Sequence, residues 1–172
     1  MHSYIVFIHC LILDSKGWNQ IIRAMEKLIT HETRQRVEQS FNRQSAMKLI
    51  RATMPIIDAG YTEIHLPHWE ELEQQHGFIH GGVVGMIADS AAGFAAMTMT
   101  SGTSEVLTVE YKINMLKPAK GDALIAQGKV VRAGRTLIVT AAEVFACLDG
   151  TKTLCALMQQ TIMVLPGKAG NS

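Results

Sequence analysis

Between Gly81 and Met97 the chain reads GGVVGMIADSAAGFAAM, and in that run only Asp89 can ionise, with Ser90 the one other polar side chain. His80 stands nine residues ahead of Asp89. Burying a lone carboxylate is costly unless it is paired, hydrogen-bonded or neutralised, so either this segment is open to water or Asp89 is there for chemistry. A carboxylate can make a water molecule nucleophilic. An attack of that kind also needs donors aimed at a carbonyl oxygen as it gains charge. Gly81 and Gly82 open the apolar run, where a helix N-terminus leaves N–H groups unpaired and its dipole favours negative charge. Glycine there lets a substrate approach the backbone closely.

Each of these residues also has an ordinary role to weigh. Asp89 could be a structural acid that caps a neighbouring backbone or pairs with Lys112 or an arginine, and His80 could serve only to hydrogen-bond the glycine turn. Ser90 has no G-x-S-x-G elbow around it and reads as a small helix residue. His65, His68, His76 and His80 raise the question of zinc. His76 and His80 are four apart, but Gly77 lies between them and no H-E-x-x-H pattern is present, so no metal is expected.

The elements that must position these residues follow from periodicity. Residues 31–54 contain no Gly or Pro, and Val37, Phe41, Met47, Ile50 and Met54 make an apolar stripe that predicts one helix, ended by Pro55. In DAGYTEIHLP, Tyr61, Glu63 and His65 alternate with Thr62, Ile64 and Leu66, which predicts a strand. The loop EELEQQHGFIHGG leads into the apolar helix. After Thr103 the period becomes two: Leu107, Val109, Tyr111, Ile113 and Met115 share one side, and Thr108, Glu110, Lys112 and Asn114 the other. Three more strand-like runs follow, ALIAQGKVVRA, TLIVTAAEVFACL and TLCALMQQTIMVL, with Asp149–Gly150 as a hairpin signal. Short connections predict that the four strands form an antiparallel meander. Its apolar face needs a cover, and the 81–97 helix is the one apolar enough, so the expected class is α+β with a curved sheet wrapped round a central helix. The expected organisation is an N-terminal extension and helix over 1–54, the sheet-and-helix domain over 55–166 and a tail over 167–172.

Composition sets the outer limits. With 172 residues, 48% apolar and 18% charged, the chain reads as one folded domain with a sizeable core. A net charge of +1 gives no basis for general affinity to nucleic acid or an anionic membrane. Three cysteines, Cys10, Cys147 and Cys155, are expected to be reduced thiols in a cytoplasmic protein. The apolar stretch at residues 4–13 is interrupted by His9, ended by Asp14 and lacks a basic lead, which argues against a signal peptide. Met25 is an alternative natural start. The long apolar run from Val83 to Thr103 carries Asp89 at its heart and is expected to be a buried helix and not a membrane span.

Four features together resemble one known family. These are the HGG of His80–Gly82, Asp89 on the helix that follows, the strand TVEYKINMLKPA, and RAGRTL downstream. Over roughly residues 55–165 the chain resembles the hotdog-fold acyl-CoA thioesterases of the phenylacetate-pathway (PaaI-like) type. The resemblance implies a hotdog fold and hydrolysis of an acyl-CoA to free acid and CoA, with Asp89 as general base or nucleophile. It further implies that the Gly81 N–H polarises the thioester carbonyl and that His80 orders the loop or contacts substrate. Gln74 stands where the family often has Asn, and Thr108 matches a hydroxyl residue that holds the water. Arg132, Gly134, Arg135 and Thr136 match a segment that contacts the CoA nucleotide, with Lys117 and Lys120 adding attraction. No cofactor is implied, since the CoA thioester is the substrate, and the site is shared between subunits of a homodimer or a dimer-of-dimers tetramer. Rival readings are a hotdog enoyl-thioester hydratase or dehydratase and a non-catalytic acyl-CoA sensor. Acyl length, CoA against carrier protein, and dimer against tetramer stay open, since pocket depth depends on how Phe94, Met97, Tyr111 and Met115 pack.

Overall fold

A computed structural model describes residues 29–167. The expectations for residues 4–13, Cys10, Met25 and the last five residues lie outside the described residues. Two helices come first, α1 (His31–Arg43) and α2 (Ser45–Leu49), followed by β1 (Thr53–Asp58) and β2 (Tyr61–Pro67). After a short 3-10 turn at Glu70–Leu72 come α3 (Gly81–Thr98), β3 (Glu105–Met115), β4 (Ala123–Ala133), β5 (Leu137–Leu148) and β6 (Thr151–Leu165).

The six strands form one antiparallel sheet in the order β1-β2-β4-β5-β6-β3, wrapped round α3. This is the expected α+β hotdog arrangement. Ile87, Ala88, Ala91, Ala92, Ala95 and Ala96 of α3 have no exposed surface at all, and β4 comes closest to them through Gly128. A Cβ at Gly128 would collide with the Ala91 backbone, so only glycine permits that approach. Thr62 adds a fixed point by donating its hydroxyl to the Ala91 carbonyl at 2.7 Å. α3 is long and apolar enough to cross a membrane by composition alone, but here it is the core of the sheet.

The structure corrects three expectations. The 31–54 helix is broken at Gln44, and the chain is already extended at Thr53, with Pro55 inside β1. β1 is an edge strand, where a residue without an N–H is tolerated. The four last strands are not a simple meander: β4, β5 and β6 are joined in sequence, but β3 pairs with β6 at the far edge. The strict alternation of β3 also fails. The register jumps from Thr108↔Ile162 to Glu110↔Thr161, so Val109 is an extra residue in a β-bulge. Cross-strand partners share a face, so Val106 and Thr108 lie on the same side as Tyr111, Ile113 and Met115. That side faces α3: the Tyr111 hydroxyl and the Met115 methyl come within van der Waals reach of Gly85 and Gly81.

The Asp149–Gly150 hairpin is as expected, with φ of 48° and 76° at its two central residues. Cys147 pairs across it with Lys152, whereas Cys155 sits in a bulge of β6, buried, and burial pushes its thiol pKa up.

Candidate active site

Asp89 lies midway along α3, where it meets the bulged strand. Thr108 donates its hydroxyl to Asp89 Oδ1 at 2.8 Å, and the Gln160 amide donates to the same oxygen. Gln160 also donates to the Thr108 hydroxyl at 2.9 Å, closing a triangle of three side chains from α3, β3 and β6. Gln160 is fully buried, and Thr140 behind it donates to its carbonyl oxygen at 3.4 Å, which holds the amide in this sense. Among the described residues Asp89 Oδ2 accepts no hydrogen bond, and Asp89 lines a cavity of about 130 Å³ together with Thr108, Ser90 and Phe94. The carboxylate is therefore gripped by one oxygen and open at the other. Lys112 is not its partner: it stands opposite Gln159 on the outer face of the sheet.

The Val109 bulge is what makes this possible. Uninterrupted alternation puts Thr108 on the opposite face from Tyr111; one inserted residue brings both to the helix side. Gln160 is the site residue that sequence reasoning missed. Its signal was available: in TLCALMQQTIMVL, Gln160 occupies a position in step with Met158 and Ile162, which are both buried. A polar residue on an inward-facing row needs a partner.

The other end of the site assembles at the start of α3. His80 is the N-cap, and its Nδ1 accepts from the Gly82 N–H at 2.9 Å. The N–H groups of Val83 and Val84 both turn to the His80 carbonyl, at 2.9 and 3.2 Å. Among the described residues this leaves the Gly81 N–H as the one in that turn without an acceptor. Gly81 borders a second cavity, of about 400 Å³, with Gln74, Phe78, Met115 and Lys117. Gln74 uses its carbonyl oxygen on the His76 N–H, and its amide nitrogen has no partner among the described residues.

The two ends are separate within one chain. Eight residues of α-helix carry Asp89 about 12 Å along and about 80° round from Gly81, and the two line different cavities. Arg132 is the penultimate residue of β4, paired with Val139, and Gly134, Arg135 and Thr136 form the exposed turn into β5, where the Thr136 carbonyl accepts from Val164. Lys117 borders the Gly81 cavity, and Lys117 and Lys120 line a neighbouring groove of about 640 Å³. His65 and His68 are occupied by carboxylates, Glu63 at 3.0 Å and Glu73 at 2.8 Å.

Comparison with known proteins places this geometry. The sequence profile of the thioesterase superfamily matches residues 76–150. A crystal structure of a thioesterase family protein from Silicibacter pomeroyi superposes with a TM-score of 0.77 at 40% identity, over 78% of this chain and 99% of that one. The chain belongs to the thioesterase superfamily. A relative in Saccharolobus solfataricus, provisionally named an esterase, is 35% identical over 94 residues. That match takes in 55% of this chain and 66% of the relative, so the chain spans just under two thirds of the relative's length. The PaaI protein from the phenylacetic acid degradation operon of E. coli shares the fold, with a TM-score of 0.72 at 19% identity over 81% and 97% of the two chains.

Proposed function

We propose that this thioesterase-superfamily protein hydrolyses acyl-CoA thioesters to the free acid and CoA. One observation carries the reading: two donors hold Asp89 by Oδ1 while Oδ2 stays open at a cavity. Thr108 and Gln160 orient the carboxylate, and Oδ2 takes the proton of a water that attacks the thioester carbon. The carbonyl oxygen, as it gains charge, is met by the unpaired Gly81 N–H at the positive end of the α3 dipole, with the Gln74 amide as a second donor. His80 holds the turn that presents Gly81. Collapse of the tetrahedral intermediate expels the CoA thiolate, which is reprotonated.

Since Gly81 and Asp89 of one chain line different cavities, the complete site pairs Asp89 of one copy with the Gly81 loop of a second. β3 supports that pairing. Among the described residues it is an edge strand, hydrogen-bonded only to β6, and Leu107, Val109, Tyr111 and Met115 along it, with Leu116 just beyond, are each about half exposed. A long apolar edge is a surface that wants a partner. The CoA phosphates are assigned to Arg132 at the end of β4 and Arg135 in the exposed turn after it, with Gly134 and Thr136 offering close backbone and hydroxyl contacts.

Thiol release from a panel of acyl-CoAs, followed for wild type and Asp89→Asn, tests the reaction; no release from any acyl-CoA by the wild type rejects it. Mixing Asp89→Asn with Gly81→Val tests the shared site. A two-fold dimer with one hybrid intact site recovers up to about one quarter of wild-type activity from two inactive parents. No recovery in a verified mixed dimer returns the whole site to one chain.

A further inference from the structure

The cavity beside Asp89 bears on which acyl group a thioester bound there could carry. With the thioester carbon at Asp89, one side of the substrate is sulfur and CoA and the other is the acyl group. Within one chain the cavity holds about 130 Å³ and is open on one side, less than the ~150 Å³ apolar cavity that takes one benzene molecule, so it is too small for a pantetheine arm and is matched to the acyl side. Its walls include Gly93, Phe94 and Met97 of α3, Val106 of β3, and Ser40 and Gln44 at the end of α1, and Glu105 at the start of β3 also lines it.

The α1 wall is held in place from two points. Phe41 packs edge-on against Phe94, with ring centres 5.6 Å apart. Arg36 donates to the carbonyls of Ser104 at 2.7 Å, Met97 at 3.0 Å and Thr100 at 2.9 Å, and to the Thr100 hydroxyl at 3.1 Å. A rigid guanidinium on the Met97 carbonyl, in the last turn of α3, also meets the negative end of its dipole. Gly93, one helical turn beyond Asp89 and on the same face, lines the space between the walls. A Cβ at Gly93 would meet nothing within 4 Å.

We propose that this cavity, bounded by the Arg36-anchored α1 and left open by Gly93, is the acyl pocket, and that it restricts the substrate to short or compact acyl groups of up to about six carbons, counting the carbonyl carbon that stays at Asp89. The inference rests on the thioesterase reading above and adds the substrate class to it. Gly93 sets the depth by lacking a side chain; Arg36 is a positioning residue that keeps the end wall fixed.

The test is kcat/KM for acetyl-, butyryl-, hexanoyl-, octanoyl- and dodecanoyl-CoA, with binding of the matching non-hydrolysable alkyl-CoA thioethers measured by calorimetry. Wild type should lose at least about tenfold between hexanoyl and dodecanoyl, the scale of discrimination expected when methylenes find no room. Gly93→Val should lower the hexanoyl-to-acetyl ratio by at least about tenfold, with Gly93→Ala intermediate. Gly93→Ala should unfold no earlier than wild type, because alanine is the better helix former, and so it reports on the pocket if the valine variant fails to fold. Arg36→Met should flatten the fall at long chains. A wild type that prefers dodecanoyl-CoA, or Gly93 variants with an unmoved length profile in a folded protein, overturns the proposal. If no acyl-CoA is hydrolysed but the thioethers bind with the same length limit, the hydrolytic reading fails and the pocket stands; binding without a length limit removes the pocket too.

Discussion

Glu63 on β2 and Asp89 on α3 are each held by two or more neighbouring side chains, and they differ in one respect. Glu63, 8% exposed, faces away from α3 and has both oxygens occupied: Oε1 accepts from Tyr61 and from Gln127 at 2.9 Å, and Oε2 faces His65 at 3.0 Å. Burial alone would raise its pKa, but the bonds from Tyr61, His65 and Gln127 overcome this and hold it below the ordinary carboxylate value. Asp89 is gripped at Oδ1 only, and the rest of the group opens on a cavity. A hydrogen-bonded buried acid is therefore no sign of function by itself. The unoccupied oxygen and the space beside it distinguish a carboxylate that can take a proton from a water from one that ties strands together.

The comparison is broken most directly by Asp89→Asn against Glu63→Gln. The first should lower kcat by about 10²–10⁴-fold in the thiol-release assay with the oligomer and its stability unchanged. If the loss falls on Glu63→Gln instead, the two assignments are exchanged. Thr108→Val and Gln160→Leu each remove one donor to Asp89, and a hydrogen bond to a charged group is worth about 1.5–3 kcal/mol. Each should cost about 10- to 100-fold in kcat with KM little changed; a loss confined to KM would make them substrate contacts instead.

Glu63→Gln should leave kcat in place and lower the unfolding free energy by about 1–3 kcal/mol, read from urea midpoints. An unchanged midpoint would show that the outer-face network contributes nothing net. The smallest effect is in the pH profile of stability. The folded pKa of Glu63 is lowered, so its contribution is complete above about pH 4.3 and is lost as pH falls through the folded value. Burial, then the hydrogen bond and the negative charge of Glu63, raise the Tyr61 phenol above its ordinary value. Its contribution is complete below about pH 10 and is lost as pH rises beyond that. Glu63→Gln should flatten the acid limb.

Much of this was legible before any coordinates. The HGG turn, the lone acid on an alanine-rich helix and the Asp149–Gly150 hairpin are local patterns, and the structure places each where its pattern requires. β1 escaped because Pro55 looks like the end of a helix, and only its place at the sheet edge makes a strand proline acceptable. Gln160 escaped because its contact with Asp89 spans 71 residues of chain, a pairing no period can show.

The sequence by itself determined that α3 is a buried core helix, that Asp89 is its one charge and that Gly81 stands at its positive end. These follow from composition, side-chain period and backbone freedom, which act within a few residues. Only the tertiary structure decided which donors meet Asp89, that β3 crosses to the far edge, and that one inserted residue at Val109 turns Thr108 toward the helix. Strand pairing and bulges are chosen by the packing of distant segments against one another, so the grip on Oδ1 and the open Oδ2 exist only once the sheet has closed round α3.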